Sequence, residues 1–202
     1  HIPYDIPNQS IRYVDTDLHV QLGAWRSVDH SQHTFFTESF IDEAAHRARK
    51  NPYQFRMELL SHHPRHQNVL KVAAESAGYG ANLAAGRAMG IAVQESFGSI
   101  AAQIVEVSLD SQNQPVVHKV TCAIDCGRAI NPDTVEAQVE SGVIFGLSAA
   151  LYGEIKIENG RVANNNFPDY DMVRLAQTPE IVVEIVESGE ALGGLGTRIS
   201  IA

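Results

Sequence analysis

Two cysteines in 202 residues are too few for a disulfide framework, and with no second pair they cannot complete a zinc site or ligate an iron–sulfur cluster. Cys122 and Cys126 stand four apart where a strand runs into a turn, on one face, and read as buried, inert thiols. Long apolar runs are also missing. The longest mostly apolar stretch, 142–151, is about half of a bilayer span, so no segment is expected to cross a membrane. Basic charge is in deficit, 15 Lys and Arg against 24 Asp and Glu, for a net charge of −9. A surface of that sign repels phosphate, which argues against nucleic acid and anionic membrane as partners. The stretch after His1 has no basic, apolar, leader-like pattern and leaves the compartment open. Neither a nucleophile elbow, a Walker loop nor a dinucleotide fingerprint is present, and no internal repeat.

What remains is ordinary globular composition, 44% hydrophobic and 19% charged, long enough for one large domain or two small ones. Ile11 and Tyr13 alternate with Arg12 and Val14, which predicts a short strand after an extended entry. Phe36, Phe40, Ala44 and Ala48 form a stripe at spacing four, predicting a helix that buries them. Asn51-Pro52 opens a second helix, with Asn51 as N-cap, Gln54 placed to reach back, and Phe55, Leu59 and Leu60 as its buried face. Pro64 is read as its end, and residues 67–77 as a third helix closed by Gly78. A subdomain boundary is expected at 78–86, giving units 1–78 and 87–202.

Beyond it the period changes to two. Residues 89–94, 100–110 and 116–125 read as antiparallel strands, with a turn at 110–114. Asn131-Pro132 opens a helix carrying Val135, Val139, Val143 and Ala150, with Gly142 and Gly146 for close packing on a sheet. Asn159-Gly160 turns a hairpin over 154–164, and 181–186 is a last strand. The fold class is therefore α+β, a mixed, mostly antiparallel sheet packed with helices.

Several residues invite a chemical reading. His62, His63 and His66 cluster around Pro64, but no carboxylate or thiol completes a ligand set, and a solvated interhelical loop is expected. His30 and His33 read as loop and helix-start residues. Asp125, Arg128 and Asn131 stand where a strand gives way to a helix N-terminus, and composition alone makes them a structural cap. Gly193-Gly194-Leu195-Gly196 is either an anion-binding run of backbone N–H groups or a flexible tail.

Taken together, residues 23–32 (Gly-Ala-Trp-Arg-Ser-Val-Asp-His-Ser-Gln), Glu38-Ser39-Phe40-Ile41-Asp42-Glu43, Asn51-Pro52-Tyr53-Gln54-Phe55-Arg56, Glu95-Ser96-Phe97-Gly98-Ser99, Ala123-Ile124-Asp125-Cys126-Gly127 and Gln138-Val139-Glu140-Ser141-Gly142 resemble, in order, the molybdopterin-binding subunit of the xanthine oxidase family. The nearest branch is the isoquinoline 1-oxidoreductase beta subunit and its membrane-associated aldehyde dehydrogenase relatives, and the likeness runs to about Gly196.

The resemblance implies a C-terminal molybdenum-cofactor domain, part of a larger subunit whose complementary N-terminal segment shares the cofactor. It places Trp25, Arg26, Ser27 and Gln32 in the loop facing the metal end of molybdopterin, with the cytosine dinucleotide form as one option. Gly194, Leu195 and Gly196 would approach from the other side. Where the family has a glutamate as general base this chain has Thr197, whose hydroxyl cannot take a proton near neutral pH. Residues 197–202 depart from the family pattern and read as an altered or truncated ending. The implied activity is hydroxylation of an N-heteroaromatic or aldehyde with water as oxygen source. Electrons would pass to iron–sulfur clusters in a small partner subunit and then to an acceptor such as a cytochrome c, in a periplasmic or membrane-associated setting. The alternatives are a catalytically inactive scaffold of the same fold, supported by Thr197, and an unrelated acidic α+β binding module.

Overall fold

Three long segments of β-branched and small residues pair edge to edge and form the body of the protein in the computed structural model, which describes residues 2–17, 20–21 and 23–195. Strands β1 (Arg87–Ser96), β2 (Ser99–Leu109) and β3 (Pro115–Asp125) form an antiparallel meander, and β6 (Glu180–Ile185) adds to β3 in parallel, giving the order β1-β2-β3-β6. A parallel neighbour needs a crossover. It is supplied by helix α4 (Pro132–Tyr152), the short hairpin β4 (Ile157–Glu158) and β5 (Arg161–Val162), and two 3₁₀ turns. Three further helices precede the sheet: α1 (His30–Arg47), α2 (Pro52–Leu59) and α3 (Pro64–Ala77).

The sheet is covered on both faces. Ile91, Val93, Ile100, Ala102, Ile104 and Ala123 point toward α1, α2 and α3, where they meet Ile41, Leu60, Val69, Leu70 and Ala73. The alternate residues Val120, Cys122 and Ile124 point the other way and pack on Val135, Val139, Val143 and Leu147 of α4. Each large aliphatic side chain buried in this way contributes about 1.5–3 kcal/mol relative to exposure. Gly142 and Gly146 are buried on the sheet-facing side of α4, as expected, but Ala150 is exposed. Both cysteines are free and buried in this second core. Burial pushes the Cys122 thiol up to about 12, so it stays protonated and unreactive.

Both Asn-Pro signals behave as the local chemistry dictates. The Asn51 side chain accepts from the N–H groups of Tyr53 and Gln54, and that of Asn131 from Thr134, with a proline at the first helical position each time. Gly78 closes α3 in the left-handed conformation.

Other expectations are overturned. Residues 11–14 form no strand and are exposed, because alternation without an adjacent strand edge has nothing to pair with. Pro64 does not end α2 but starts α3, whose first turn needs no N–H from it. His66 therefore lies on that helix and is buried, not in a solvated loop, while His62 is exposed as expected. Helix α1 is rotated relative to its apolar stripe: Thr34, Glu38, Ile41 and Ala45 are buried, and Phe36 and Phe40 face outward.

The rotation of α1 has a polar cause. Glu38, 4% exposed, accepts from the Tyr4 hydroxyl at 2.8 Å, Arg56 Nε at 2.9 Å and the backbone N–H of Val93 at 3.0 Å. Arg56, fully buried, also donates to Asp42 Oδ1 at 2.5 Å and to the carbonyls of Glu38 and Pro52. Val93 lies on β1, an edge strand among the described residues, so the carboxylate satisfies a ladder donor that no described strand pairs with.

Candidate functional site

Four chain segments meet at one end of the sheet. The β1–β2 turn, Phe97-Gly98, has positive φ at both residues, as a two-residue hairpin loop requires. Beside it β3 ends at Asp125, α3 begins at Pro64, and the chain leaves β6 to pass through 187–195. Asp125 joins them. Its carboxylate, 1% exposed, accepts from Arg65 Nε at 2.9 Å, from the Gly127 N–H at 2.8 Å and from the Ser188 hydroxyl at 2.8 Å. Asp125 is thus a tie between α3, β3 and the segment after β6, and not part of the α4 cap. Asn131 alone of the three expected cap residues does that work, and Arg128 is exposed.

Burial by itself would raise the Asp125 carboxyl. Arg65, Gly127 and Ser188 overcome that and hold it below the usual carboxylate range. The folded state then binds this proton less tightly than the unfolded chain does. Stability from the tie is complete above the ordinary value of 3.8 and is lost as pH falls below it through the depressed folded value. Urea unfolding followed from roughly pH 5 to pH 2 will show this acid-dependent loss in the native protein, and Asp125→Asn will remove its share of the slope.

The segment 187–195 is held by glycine contacts as well. Gly127, at φ +82°, lies so close to the next turn that an added Cβ would stand 2.3 Å from the Ala191 carbonyl oxygen. A Cβ on Gly193 would stand 2.2 Å from Ser99 Oγ and 2.8 Å from the Gly98 backbone. The N–H of Gly193 donates to Cys126 O and that of Gly194 to Phe97 O, while Ser99 Oγ donates to Gly194 O. The two N–H groups are therefore spent inside the protein, so neither an anion-binding run nor a loose tail describes Gly193 and Gly194. Leu195 packs against the α4-side core.

The first turn of α1 meets the β1–β2 turn, and the loop before it runs onto α4. Ser27 is 4% exposed and, with Val28, has positive φ in the turn that opens α1. Its hydroxyl donates to Ser31 Oγ at 2.8 Å, and Ser31 Oγ to Gln32 Oε1 at 3.2 Å. In the first turn of α1, His30 Nδ1 lies 3.0 Å from Gln94 Nε2, and its ring is 5.1 Å from that of Phe97. Through Phe97, whose carbonyl holds Gly194, the first turn of α1 and the glycine segment are neighbours.

Trp25 and Arg26 line a cavity of about 710 Å³. The Trp25 ring lies 5.3 Å from Phe145 of α4, and the Arg26 guanidinium carbon 5.0 Å from the same ring. Glu140, Ser141, Tyr170 and Met172 complete a wall that combines aromatic faces, one cation and one carboxylate. That volume is in the range of small-molecule sites, roughly 300–1,000 Å³. Phe145→Ala removes both ring contacts and will cost about 1–2 kcal/mol. Because Trp25 is the one tryptophan in the chain, a red shift in its emission reports the change directly.

Of the residues read from sequence, Trp25, Arg26, Ser27, Gln32, Gly194 and Leu195 lie within the described structure, and Gly196 and Thr197 lie outside the described residues. Nothing local in the sequence marks Asp125, Arg65, Ser188 and Phe145 for these roles. Arg65 and Ser188 are 60 and 63 residues from Asp125, a separation with no local signal. No group of three or more His, Cys, Asp or Glu side chains suited to a metal ion occurs among the described residues.

Comparison with known proteins gives this geometry a family. The model of the molybdopterin cofactor-binding domain matches residues 28–179. The chain is 34% identical over 198 residues to the isoquinoline 1-oxidoreductase subunit beta of Brevundimonas diminuta, covering 96% of this chain and 25% of that one. It is 30% identical over 216 residues to the membrane-bound aldehyde dehydrogenase (pyrroloquinoline-quinone) of Gluconacetobacter polyoxogenes, covering 96% and 28%. Among solved structures, quinoline 2-oxidoreductase from Pseudomonas putida 86 is similar over 49% of this chain and 14% of its own, at 23% identity and a TM-score of 0.45. The chain spans about a quarter of the length of the curated relatives it matches. With three quarters of its residues inside one family model, the chain belongs to the molybdopterin cofactor-binding domain family.

Proposed function

We propose that this chain is the cofactor-facing part of a molybdenum hydroxylase that oxidises an N-heteroaromatic or aldehyde substrate, takes its oxygen from water and passes electrons to iron–sulfur clusters in a small partner subunit. The observation that carries the reading is the pairing, in a chain of this family, of a Trp25–Arg26 wall over Phe145 with a glycine segment fixed on Phe97, the ring that His30 of α1 also meets. The residues present suit the cofactor. Molybdopterin joins a fused-ring pterin to an anionic phosphate, and the Trp25, Phe145 and Arg26 wall offers ring faces and a guanidinium. Ser96 Oγ, buried one residue before the β1–β2 turn, has no hydrogen-bond partner among the described residues and is a further polar group beside the glycine segment.

When bound, the molybdenum cofactor supplies two-electron oxidation of a substrate carbon. Trp25 and Arg26 bind and orient, Ser27 fixes the turn that presents them, and Gln32 adds an amide on the first turns of α1. Gly194 is held in place by Phe97 and Ser99, and Leu195 by the α4-side core. A complementary cofactor-binding segment supplies the remaining cradle. A second reading, a scaffold domain without catalysis, is supported by Thr197 at the position where the family's general base stands.

Metal analysis separates the two. The native assembly that contains this chain is expected to hold molybdenum and a pterin together with iron, and to oxidise a quinoline-type or aldehyde substrate. An assembly that holds the cofactor without turnover supports the scaffold, and one without molybdenum overturns the hydroxylase reading.

A further inference from the structure

Helix α1 presents the wrong face to water for a helix that ends its packing where this structure does. Phe36 and Phe40, one turn apart, are 62% and 64% exposed, and Phe35, edge-on to Phe36 at 5.9 Å, is 56% exposed. The opposite stripe buries a threonine and the Glu38 carboxyl. Three phenylalanines exposed to this degree present roughly 350 Å² of ring surface, the scale of the largest apolar patch on an ordinary monomer. Asp29, His33, Glu43 and Arg47, exposed along the same helix and its start, form the polar rim usual around an interface core.

We infer that this face of α1 is the seat of the complementary cofactor-binding segment, an apolar polypeptide surface that packs on Phe35, Phe36 and Phe40. The inference rests on the reading under Proposed function. Three observations choose the occupant. In the matched relatives, residues equivalent to this chain lie within polypeptides about four times as long, so other parts of the same subunit are available to cover α1. Helix α1 also begins directly after the Trp25–Ser27 loop, so a segment that completes the cofactor cradle arrives beside it. The patch itself is smaller than the roughly 800 Å² per partner of a stable two-chain interface, which suits an occupant anchored by further contacts and not a second copy held here alone.

The test compares the isolated chain with the native assembly. Carbene footprinting read by mass spectrometry is expected to label Phe35, Phe36 and Phe40 strongly in the isolated chain and several-fold less in the assembly. A photo-crosslinking amino acid in place of Phe40 is expected to capture a molybdopterin-binding segment, identified by peptide sequencing. The double variant F36S/F40S is expected to keep the thermal transition of the isolated chain and, in the assembly, to raise the labelling of Phe35 several-fold. Equal labelling in both states overturns the inference, as does a crosslink to a second copy of this chain or to a protein of another kind. Molybdenum is measured on the same preparations. Its absence would overturn the hydroxylase reading, while the footprint and crosslink decide the docking surface independently.

Discussion

Replacing Arg56 with methionine will lower the unfolding free energy by about 3–5 kcal/mol, the cost of leaving a buried charge without its partner. In a chain of this length the melting temperature falls by roughly 10 °C. The cause lies in the geometry of the pair. Glu38 is already pushed up from the ordinary carboxylate range by burial, and Arg56 is the cation that opposes that shift. Without it the carboxyl either takes a proton or remains as an unpaired anion beneath α1. Methionine refills the volume of the arginine stem but offers nothing to Asp42 or to the Glu38 and Pro52 carbonyls. Removing Glu38 as well will recover only part of the loss, because the Val93 N–H on the sheet edge and the Tyr4 hydroxyl then lose their acceptor. Thermal unfolding of Arg56→Met, Glu38→Leu and the double variant measures the coupling. Losses under 1 kcal/mol in both single variants would show that the network is not what orients α1.

Gly127→Ala will have the second large effect, on order as well as stability. An L-residue at φ +82° carries a backbone penalty of about 1–2 kcal/mol before any clash. The added methyl also meets backbone, the Ala191 and Glu190 carbonyl oxygens at 2.3 and 2.6 Å, and backbone cannot rotate aside as a flexible side chain can. The segment 187–195 must shift, and the Ser188 bond to Asp125 and the Gly193 bond to Cys126 are then lost with it. Hydrogen exchange at Gly193 and Gly194 will rise by an order of magnitude or more, with a total loss of roughly 2–4 kcal/mol in thermal unfolding. Gly189→Ala is the control. It shares a positive φ of 74°, yet its Cβ has open space, so it will cost the backbone penalty alone.

What could be read from the sequence divides along locality. Asn51-Pro52 and Asn131-Pro132 declare helix starts because cap, proline and recipient N–H lie within four residues of one another. The strands declare themselves by β-branched alternation, and Asn159-Gly160 by its turn chemistry. The errors come where a local pattern is compatible with two tertiary outcomes. Pro64 stops one helix as readily as it starts the next, and only the packing of His66, Val69 and Leu70 decides. The Phe36 and Phe40 stripe shows that α1 has an apolar side but not which side the sheet takes, and the buried Glu38–Arg56 pair, 18 residues apart, makes that choice. At the candidate site the glycines are visible in sequence, but their reason is not: the close approach of Gly127 to Ala191 requires the fold. Only family likeness marks the Trp25–Ser27 loop, and the partner of Trp25, Phe145, lies 120 residues away on α4.

The account turns on whether the Trp25–Arg26 wall faces the cofactor. The direct measurement is oxidative footprinting of Trp25 in the native assembly, purified from cells that make molybdopterin and from cells that cannot. Trp25 is 51% exposed in this chain, so it is open to the reagent when nothing covers it. Oxidation of Trp25 is expected to fall several-fold in the cofactor-loaded assembly, with His62, on the α2–α3 connection, labelled alike in both. Equal oxidation of Trp25 in the two preparations, with molybdenum present in one and absent from the other, would contradict the account.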